Sequence, residues 1–321
     1  MIMLELTSIG IQVVLPLALI AWMWLAPARG RIGFALQGIL TLCVLLALTF
    51  AALWSVPPWW VPYVYLALWA LAILRTGPRI WRTGRLWPGT VFQWIGWALL
   101  VPLGVWSMAL SYGALAGRTP PNSVAVIDLP MPLGPGTYLV ANGGANSTVN
   151  GHFLTLEPKT ERQRAYRGQS FGVDLVKIDS LGLRTSGWRP SDPADYQIYR
   201  EPVFSPCAGT VISARKDLPD MPVPIPDETL LEGNHVAIDC GEFVVLLGHF
   251  RNASLLVRAG DQIQVGEKLG EVGNSGKTFE PHLHIHVQRP AAEGQPLLSG
   301  EPLHLSLAGE FPVRNQQLSV K

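Results

Sequence analysis

The chain has 321 residues and a formal net charge of +1 at pH 7, but this near balance averages two unlike parts. Residues 1–118 contain seven arginines, no lysine and one acidic residue, Glu5, whereas residues 119–321 contain 17 basic and 22 acidic residues. We therefore predict a transmembrane anchor over residues 1–118 and a separate soluble domain over residues 119–321. The soluble part has no basic stretch in its sequence, so we predict no nucleic-acid partner.

Three uncharged stretches in the first part are long enough to cross a bilayer. They comprise residues 6–28, 32–74 and 86–117. The second stretch is too long for one helix, and residues 57–62 divide it, because prolines end helices and tryptophans favour the membrane interface. We therefore predict an all-α bundle of four transmembrane helices in the lipid bilayer, the last of them near residues 92–114.

Arginines mark alternate loops between these predicted spans. The first and third predicted loops carry six of them: Arg29, Arg31, Arg75, Arg79, Arg82 and Arg85. Positively charged loops stay in the cytoplasm, so we predict a multi-pass protein of the inner, cytoplasmic membrane with both termini and the chain after Arg118 outside the cytoplasm. The spans contain no Asp, Glu, Lys or His, which transport pathways usually need. We interpret them as an anchor or as a docking surface for a membrane protein, with a cavity lined by Gln37 and Gln93 as the alternative.

Short apolar runs broken by Gly, Pro and Asn predict a mostly antiparallel β domain after residue 118, either a sandwich or an open barrel. The predicted strands are Ser123–Leu129, Gly136–Ala141, Phe153–Leu156, Phe171–Ile178, two within Val203–Ile212, Asn234–Asp239, Phe243–Gly248 and Ser254–Val257, with a hairpin over Val257–Gly266. Arg215–Gly233 has four prolines, five acids and no periodicity, which favours a surface loop or a lid. Cys207 and Cys240 allow a disulfide, with zinc ligation as the alternative.

The run His282–Val287 alternates histidine with Leu, Ile and Val. In a strand this period places the three histidines on one face and the apolar side chains on the other. Imidazoles two residues apart on one face are typical of a metal ligand beside a catalytic base; a histidine-rich edge strand facing water is the alternative. Asp174 lies in another apolar run, which predicts either a cation beside it or a hydrogen-bonded structural role.

Several motifs in the same order resemble the lysostaphin-type zinc metallopeptidases, which cut peptidoglycan peptides. They are Leu-Gly-His-Phe at residues 247–250, Val-Arg-Ala-Gly-Asp at 257–261, Gly-Asn-Ser-Gly at 273–276 and Pro-His-Leu-His at 281–284. Strands and loops of that kind cover roughly residues 136–290. The resemblance implies a Zn²⁺-dependent endopeptidase that acts on peptidoglycan peptides.

The same resemblance implies a role for most of the histidines. Asp174 and His284 correspond to zinc ligands. His249 and His282 correspond to catalytic residues that orient or deprotonate a water molecule and stabilise the oxyanion. His286 takes a position where relatives often carry Glu, and a partner to a metal ligand is one interpretation of it.

The first zinc ligand departs from the family pattern. Lysostaphin-type enzymes carry it in a His-x-Gly-x-Asp motif, whereas the corresponding run here begins with Ser170, and a hydroxyl is a poor zinc ligand. A divergent branch of the family pairs an Asn-x-His segment with a Gln-x-x-x-x-Asp segment, which Asn150-Gly-His152 and Gln169–Asp174 resemble. We therefore predict His152 as the third ligand; a histidine on a surface loop is the alternative.

These observations leave three functions to compare. The one we predict is a membrane-anchored zinc endopeptidase. The second is a catalytically inactive member of the same fold that binds cell-wall peptides or regulates a partner hydrolase, and Ser170 is its main support. The third is a carrier-type binding domain, because residues 257–266 alone resemble a lipoyl or biotinyl hairpin. That interpretation lacks a lysine at the hairpin tip and leaves the histidines unexplained.

Overall fold

The structure, a computed structural model, describes residues 9–87, 90–122 and 124–321. The chain divides into two compact units, Met1–Ala116 and Gly117–Lys321. The beginning of the first predicted span and Ser123 of the first predicted strand lie outside the described residues. Each unit has its own buried apolar core.

The first unit is helical. A π-helical turn at Gly10–Val14 leads into α1 (Leu15–Leu25), which is followed by α2 (Arg31–Ala51), α3 (Val61–Thr83) and α4 (Val91–Ala116). Helices therefore occupy the four predicted places. By length and composition, two helices among the described residues could cross a membrane, Arg31–Ala51 and Trp94–Ala116, whereas Gly10–Leu25 is apolar but shorter. A bundle of four spans stays a prediction.

Helix α3 is longer than its predicted span, which corrects the third predicted loop. Arg75, Arg79 and Arg82 lie on the helix, because arginine is a good helix former and the helix continues to Thr83. The Arg75 guanidinium lies 4.6 Å from the ring centroid of Trp24, a distance that allows a cation–π interaction.

Gln37 has a structural role in this unit. It is fully buried. Its Oε1 accepts a hydrogen bond from the backbone N–H of Ala28 at 2.9 Å, and its Nε2 donates to the carbonyl of Ala26 at 3.4 Å. Gln37 therefore satisfies backbone groups just after α1, while the side chain of Gln93 is not described.

The second unit is built from twelve strands. They are β1 (Val126–Leu129), β2 (Gly136–Asn142), β3 (Val173–Ile178), β4 (Pro202–Phe204), β5 (Gly209–Arg215), β6 (His235–Asp239), β7 (Val244–Gly248), β8 (Gln262–Ile263), β9 (Lys268–Glu271), β10 (Leu283–Gln288), β11 (Pro302–Leu307) and β12 (Gln317–Val320). The main sheet has the order β12-β2-β3-β10-β7-β6-β5-β8, β11 also pairs with β10, and β4 pairs with β9. Only β1 and β11 pair in parallel among the described strands, so the predicted mostly antiparallel domain is confirmed.

Three local predictions are wrong. Phe153–Leu156 is not a strand, because Asn150 caps a 3₁₀ helix at Gly151–Thr155. The hairpin over residues 257–266 does not form either: β8 pairs with β5 and β9 pairs with β4, so each strand finds a partner distant in sequence. Ser254–Val257 has no strand structure.

Strand β10 lies inside the sheet and organises it. Leu283, Ile285 and Val287 are fully buried in the core, while the alternating histidines point to the other face. That face is also covered, since His284 and His286 are 3% and 1% exposed. The alternative of an edge strand facing water is therefore wrong.

The register of this sheet aligns the polar residues in one row. His284 of β10 pairs with Asp174 of β3 on one side and with Gly248 of β7 on the other. Asp174 in turn pairs with Asn142 at a β-bulge in β2, and bulges often re-aim side chains beside functional sites. The row brings together residues that are 110 positions apart in sequence.

The long segment between β5 and β6 is tied to the loop that contains Gly-Asn-Ser-Gly. The Asp220 carboxylate accepts from the backbone N–H of Asn274 at 2.7 Å, and the N–H of Met221 donates to the Asn274 carbonyl at 3.0 Å. The N–H of Asp227 donates to the carbonyl of Gly276 at 2.9 Å. The segment is thus a surface loop hydrogen-bonded to the Gly-Asn-Ser-Gly loop.

Cys207 and Cys240 form a disulfide. The pair is therefore not available as zinc ligands. A crosslink that closes a loop of 33 residues is expected to stabilise the domain by about 3–4 kcal/mol, because it restricts the unfolded chain.

Candidate metal centre

Five side chains meet at the polar face of β10. They are the five predicted site residues: His152, Asp174, His249, His282 and His284. The Asp174 carboxylate is central, with Oδ2 3.6 Å from His152 Nε2 and Oδ1 2.8 Å from His284 Nδ1. His282 Nε2 lies 3.6 Å from the same Oδ1, and the rings of His249 and His282 are 4.5 Å apart.

His152 stands on the 3₁₀ helix and is oriented by Asn150. The Asn150 Nδ2 donates to the carbonyl of Gly172 at 2.9 Å, which directs the amide oxygen toward His152. That oxygen accepts from the His152 backbone N–H and lies 3.0 Å from His152 Nδ1. The ring proton is thus assigned to Nδ1, which leaves the Nε2 lone pair facing Asp174. The structure is inconsistent with a plain surface-loop histidine.

Ser170 is not among the converging side chains. It is fully buried, and its hydroxyl donates to the carbonyl of Arg167 at 2.6 Å and lies 2.9 Å from the Thr155 hydroxyl. Thr155 in turn donates to the carbonyl of His152 at 2.9 Å. Ser170 therefore supports the helix that carries His152.

His249 follows β7 in a left-handed backbone conformation with φ of +66°, which is uncommon for a residue with a side chain and recurs at functional sites. The conformation is held on both sides, since its N–H donates to the carbonyl of Glu232 and its carbonyl accepts from the N–H of Gly273. Its Nδ1 lies 2.8 Å from the carbonyl of Ser275. Nδ1 therefore carries the proton, and Nε2 is the free nitrogen.

His282 is held in the same way at the beginning of β10. Its Nδ1 lies 2.8 Å from the carbonyl of Glu280 and 3.1 Å from the hydroxyl of Thr278. The Glu280 side chain is itself fixed by Arg184, which is 5% exposed and donates from Nε at 2.9 Å. His282 thus presents Nε2 to the site, beside Asp174.

His284 has the opposite orientation. Its Nδ1 faces Asp174, and its Nε2 lies 2.9 Å from Nδ1 of His286. Gly172 packs directly against the ring, because a Cβ at that position would lie 2.6 Å from His284 Cε1. Only glycine permits this close approach.

Asp174 is held from its other side by Asn142 and Arg314. The Asn142 Nδ2 donates to Asp174 Oδ2 at 2.9 Å, and the Asn142 oxygen accepts from Arg314 Nη2 at 2.9 Å. Arg314 also donates to the carbonyls of Ala141 and Thr148. Arg314 thereby fixes the orientation of the Asn142 amide, which in turn fixes the carboxylate.

Burial and mutual contact set the charges of the cluster. Burial alone would raise the pKa of Asp174, but the adjacent His152, His282 and His284 hold it well below its ordinary value. Burial lowers the pKa of His152 to about 4, against the opposing effect of Asp174. Burial, together with His282 and His284, also keeps the pKa of His249 well below its ordinary value. Burial therefore favours the neutral imidazole at His152 and at His249, beside the Asp174 carboxylate.

This donor set fits a zinc ion. One ligand atom from each of His152, Asp174 and His284 lies within 4.8 Å of the other two. Tetrahedral zinc with bonds of about 2.0–2.1 Å needs donor atoms about 3.3 Å apart, so the most widely separated of these atoms would have to move closer together around an ion. Two imidazoles and one carboxylate leave a fourth position open, which is typical of catalytic rather than structural sites.

The residues that orient the site were mostly not predicted from sequence. Asn142 and Arg314 carry no local signal, because the bulge in β2 and the chain after β11 bring them to Asp174. Asn150 was noted only as part of a motif, although an Asn two residues before a histidine is a recognisable helix cap.

Comparisons with known proteins found one matching family model. Residues 194–297 match the model of Peptidase family M23. The match includes His249, His282 and His284, but it begins after His152 and Asp174. No curated protein matches the chain.

Several solved structures align with part of the chain. A zinc-containing peptidase from Vibrio cholerae is 22% identical over 41% of this chain and 28% of its own, with a TM-score of 0.25. The catalytic domain of lysostaphin from Staphylococcus simulans is 17% identical over 38% of this chain and 68% of its own, with a TM-score of 0.25. A putative peptidase M23 from Pseudomonas aeruginosa is 19% identical over 57% and 54%, with a TM-score of 0.28. The chain thus spans less than a third of the first of these relatives.

Proposed function

We propose that the second unit is a zinc metalloendopeptidase that hydrolyses peptide bonds in peptidoglycan. The observation that carries the proposal is the convergence of His152, Asp174 and His284 beside the free nitrogens of His249 and His282. A site that only bound a metal would not need two further imidazoles whose Nδ1 protons point to backbone carbonyls and whose Nε2 atoms face the site. The M23 match over residues 194–297 supports the same reaction class.

In this proposal His152, Asp174 and His284 hold the zinc ion. The ion would supply Lewis acidity and lower the pKa of a coordinated water to about 7. His152 takes the place of the missing family ligand, and the Asn150 hydrogen bonds support this because they leave its Nε2 unprotonated. Orienting partners of this kind are typical of metal-binding histidines.

His249 and His282 perform the proton transfers. Each donates its Nδ1 proton to a backbone carbonyl, so each offers Nε2 as an acceptor for the proton of the attacking water. Once protonated, the same nitrogen becomes a donor to the oxyanion and then to the leaving amine. The backbone carbonyls stabilise the resulting imidazolium.

The alternative is a catalytically inactive domain that binds cell-wall peptides or regulates a partner hydrolase. Its specific support is Ser170, which stands where lysostaphin-type enzymes carry a ligand. Its weakness is that His152 is available and already oriented, while Ser170 has a structural partner in Thr155.

Zinc-dependent cleavage distinguishes these functions. We expect the full chain in detergent to bind about one zinc ion and to release peptide fragments from peptidoglycan, with activity lost on chelation and restored by Zn²⁺. Metal content and amine release are the measurements. Zinc binding without cleavage of any peptidoglycan preparation would favour the binding domain, and failure to bind zinc would contradict the metal centre.

We further propose that the helices of the first unit are four membrane spans that anchor the domain outside the cytoplasm and dock a membrane-protein partner. Two of them have the required length and composition. The arginines of α3 lie in its second half, near the loop that contains Arg85. Positive charge is therefore concentrated at this end of the helix. This supports the cytoplasmic assignment of that end.

Topology is testable with reporters. A periplasmic reporter fused after Arg118 is expected to be active, and a cytoplasmic reporter at the same place is expected to be silent, because the arginine-rich loops are retained inside. Fusions after Arg85 serve as the matched control and are expected to show the reverse. Cytoplasmic activity at Arg118 would overturn the topology.

A further inference from the structure

Asn274 is a buried residue of the Gly-Asn-Ser-Gly loop, and it has no role in the proposed ligand set or in the proposed proton transfers. It is 0% exposed. Burying an amide is costly unless its polar groups are paired. The partners of its backbone and side-chain groups therefore identify what holds this residue and what the residue holds.

Three of these groups bind Asp220 and Met221 in the long loop between β5 and β6. The backbone N–H of Asn274 donates to Asp220 Oδ1 at 2.7 Å. The Asn274 carbonyl accepts from the N–H of Met221 at 3.0 Å, and Asn274 Nδ2 donates to the Met221 carbonyl at 2.6 Å. Because Nδ2 is bound to Met221, the orientation of the amide is fixed and Oδ1 lies on its other side.

Asp220 is itself bound to other parts of the domain. Its Oδ2 accepts from the Tyr199 hydroxyl at 3.0 Å and from the backbone N–H of Asn252 at 3.3 Å. Gly273 packs closely against it, since a Cβ at Gly273 would lie 2.5 Å from Asp220 Oδ1. The carboxylate thus joins the long loop to residues before β4 and after β7, and Asn274 is held by a group that is anchored at several points.

The residues on either side of Asn274 hold His249. The N–H of Gly273 donates to the His249 carbonyl at 2.9 Å, and the Ser275 carbonyl lies 2.8 Å from His249 Nδ1. The Ser275 hydroxyl also donates to the carbonyl of Phe250, the residue after His249, at 2.8 Å. A displacement of Asn274 would therefore move both the backbone and the ring partner of His249.

The Asn274 side chain is linked to His282 through Thr278. Asn274 Oδ1 lies 3.1 Å from Thr278 Oγ1, and Thr278 is 1% exposed. The same hydroxyl donates to the carbonyl of Glu280 at 2.6 Å and lies 3.1 Å from His282 Nδ1. The Glu280 carbonyl also lies 2.8 Å from that nitrogen. The hydroxyl that Asn274 contacts thus touches both the His282 ring and the carbonyl that holds it.

We propose that Asn274 is a positioning residue that sets the places of His249 and His282 together, and that Asp220 and Met221 of the long loop hold it there. The inference rests on the proposed function, since it takes the two imidazoles as catalytic. One residue serves both because the backbone of its loop holds His249 while its side chain holds Thr278 beside His282. A misplacement of about 1 Å can slow a reaction by about 10²-fold, so hydrolysis is expected to depend on Asn274.

Asn274→Ala removes the side-chain contacts and leaves the two backbone hydrogen bonds to the long loop. For solubilised peptidoglycan fragments and the full chain in detergent, we expect kcat to fall by about 10–100-fold, with KM and bound zinc near those of wild type. Ser306→Ala is the control for losing a buried hydrogen bond, because Ser306 is 9% exposed and donates to Asp128 Oδ1 at 2.7 Å outside the site. The control should lower stability and leave kcat unchanged.

A second readout needs neither zinc nor turnover. In the metal-free full chain labelled with ¹³C-histidine, we expect the ring signals of both His249 and His282 to shift in Asn274→Ala. The ring signals of His304, which stacks on Phe171, should stay where they are in wild type. A general loss of structure would move all three histidines.

Thr278 provides a matched pair if Asn274→Ala does not fold. Thr278→Val keeps the shape and removes the hydroxyl, whereas Thr278→Ser keeps the hydroxyl. We expect the Val variant to lose about 10–100-fold in kcat and to shift the ring signals of His282, while the Ser variant stays within about threefold of wild type. Wild-type kcat in Thr278→Val would contradict the link to His282.

The outcomes separate the two proposals. Wild-type kcat in Asn274→Ala, loss of zinc together with hydrolysis, or unchanged ring signals of either histidine would overturn the shared positioning role. Wild-type chain that cleaves no peptidoglycan would contradict the proposed function, and the ring signals would still decide whether Asn274 positions the two imidazoles.

Discussion

Replacing His152 with alanine is expected to reduce zinc affinity about as severely as replacing His284, by more than the roughly 100-fold typical of losing an orienting partner. The reason is geometric: His152 Nε2 is 3.6 Å from Asp174 Oδ2, and Asn150 leaves that nitrogen unprotonated. Metal content of the purified full chain, measured at stoichiometric zinc, checks the expectation.

Ser170→Ala is the control for this experiment. Ser170 has a hydroxyl within reach of Thr155 and Arg167, so its loss should cost about 0.5–1.5 kcal/mol of stability. Zinc occupancy should stay near that of wild type, because Ser170 does not face Asp174. Full zinc retention in His152→Ala would refute the ligand replacement and favour the inactive binding domain.

Sequence was sufficient for the parts of the site that depend on local periodicity. The alternation in His282–Val287 predicted a strand with its histidines on one face, and the strand is observed. Asp174 was noticed because a carboxylate in an apolar run needs a partner. The helices of the first unit were predicted because uncharged stretches of that length have few alternatives.

Prediction from the sequence was wrong or incomplete where contacts between residues distant in sequence override the local preference for a strand or hairpin. Residues 257–266 have the pattern of a hairpin. Strand β8 within this run pairs with β5 instead, and β9 just after it pairs with β4. Phe153–Leu156 is apolar enough for a strand, but the Asn150 cap starts a 3₁₀ helix there. Arg314 reaches the site only because β12 pairs with β2 and brings the preceding segment alongside. No local pattern carries that information.

Under the proposed function, the row of polar residues along β10 combines metal binding and proton transfer on one strand. His282 and His284 share a face but present different nitrogens to the site: His282 donates from Nδ1 to a backbone carbonyl, while His284 turns Nδ1 toward Asp174. We therefore expect the orientation of the ring, rather than the residue type, to separate the proposed catalytic imidazole from the proposed ligand. This argument predicts different outcomes for two substitutions only two positions apart.

His282→Ala is expected to keep zinc and to lose peptidoglycan hydrolysis by about 10²–10⁴-fold, the range for removing a general base or an oxyanion donor. His284→Ala is expected to lose both zinc and hydrolysis, because it removes a ligand. Consecutive residues on one face of a strand are about 6.6–7 Å apart, so one metal ion bonded to His284 at about 2.1 Å leaves His282 to reach the substrate side. Both variants are measured for zinc content and for amine release from the same peptidoglycan preparation. Equal loss of zinc in the two variants would show that both histidines are ligands, and it would leave His249 as the remaining candidate for the general base.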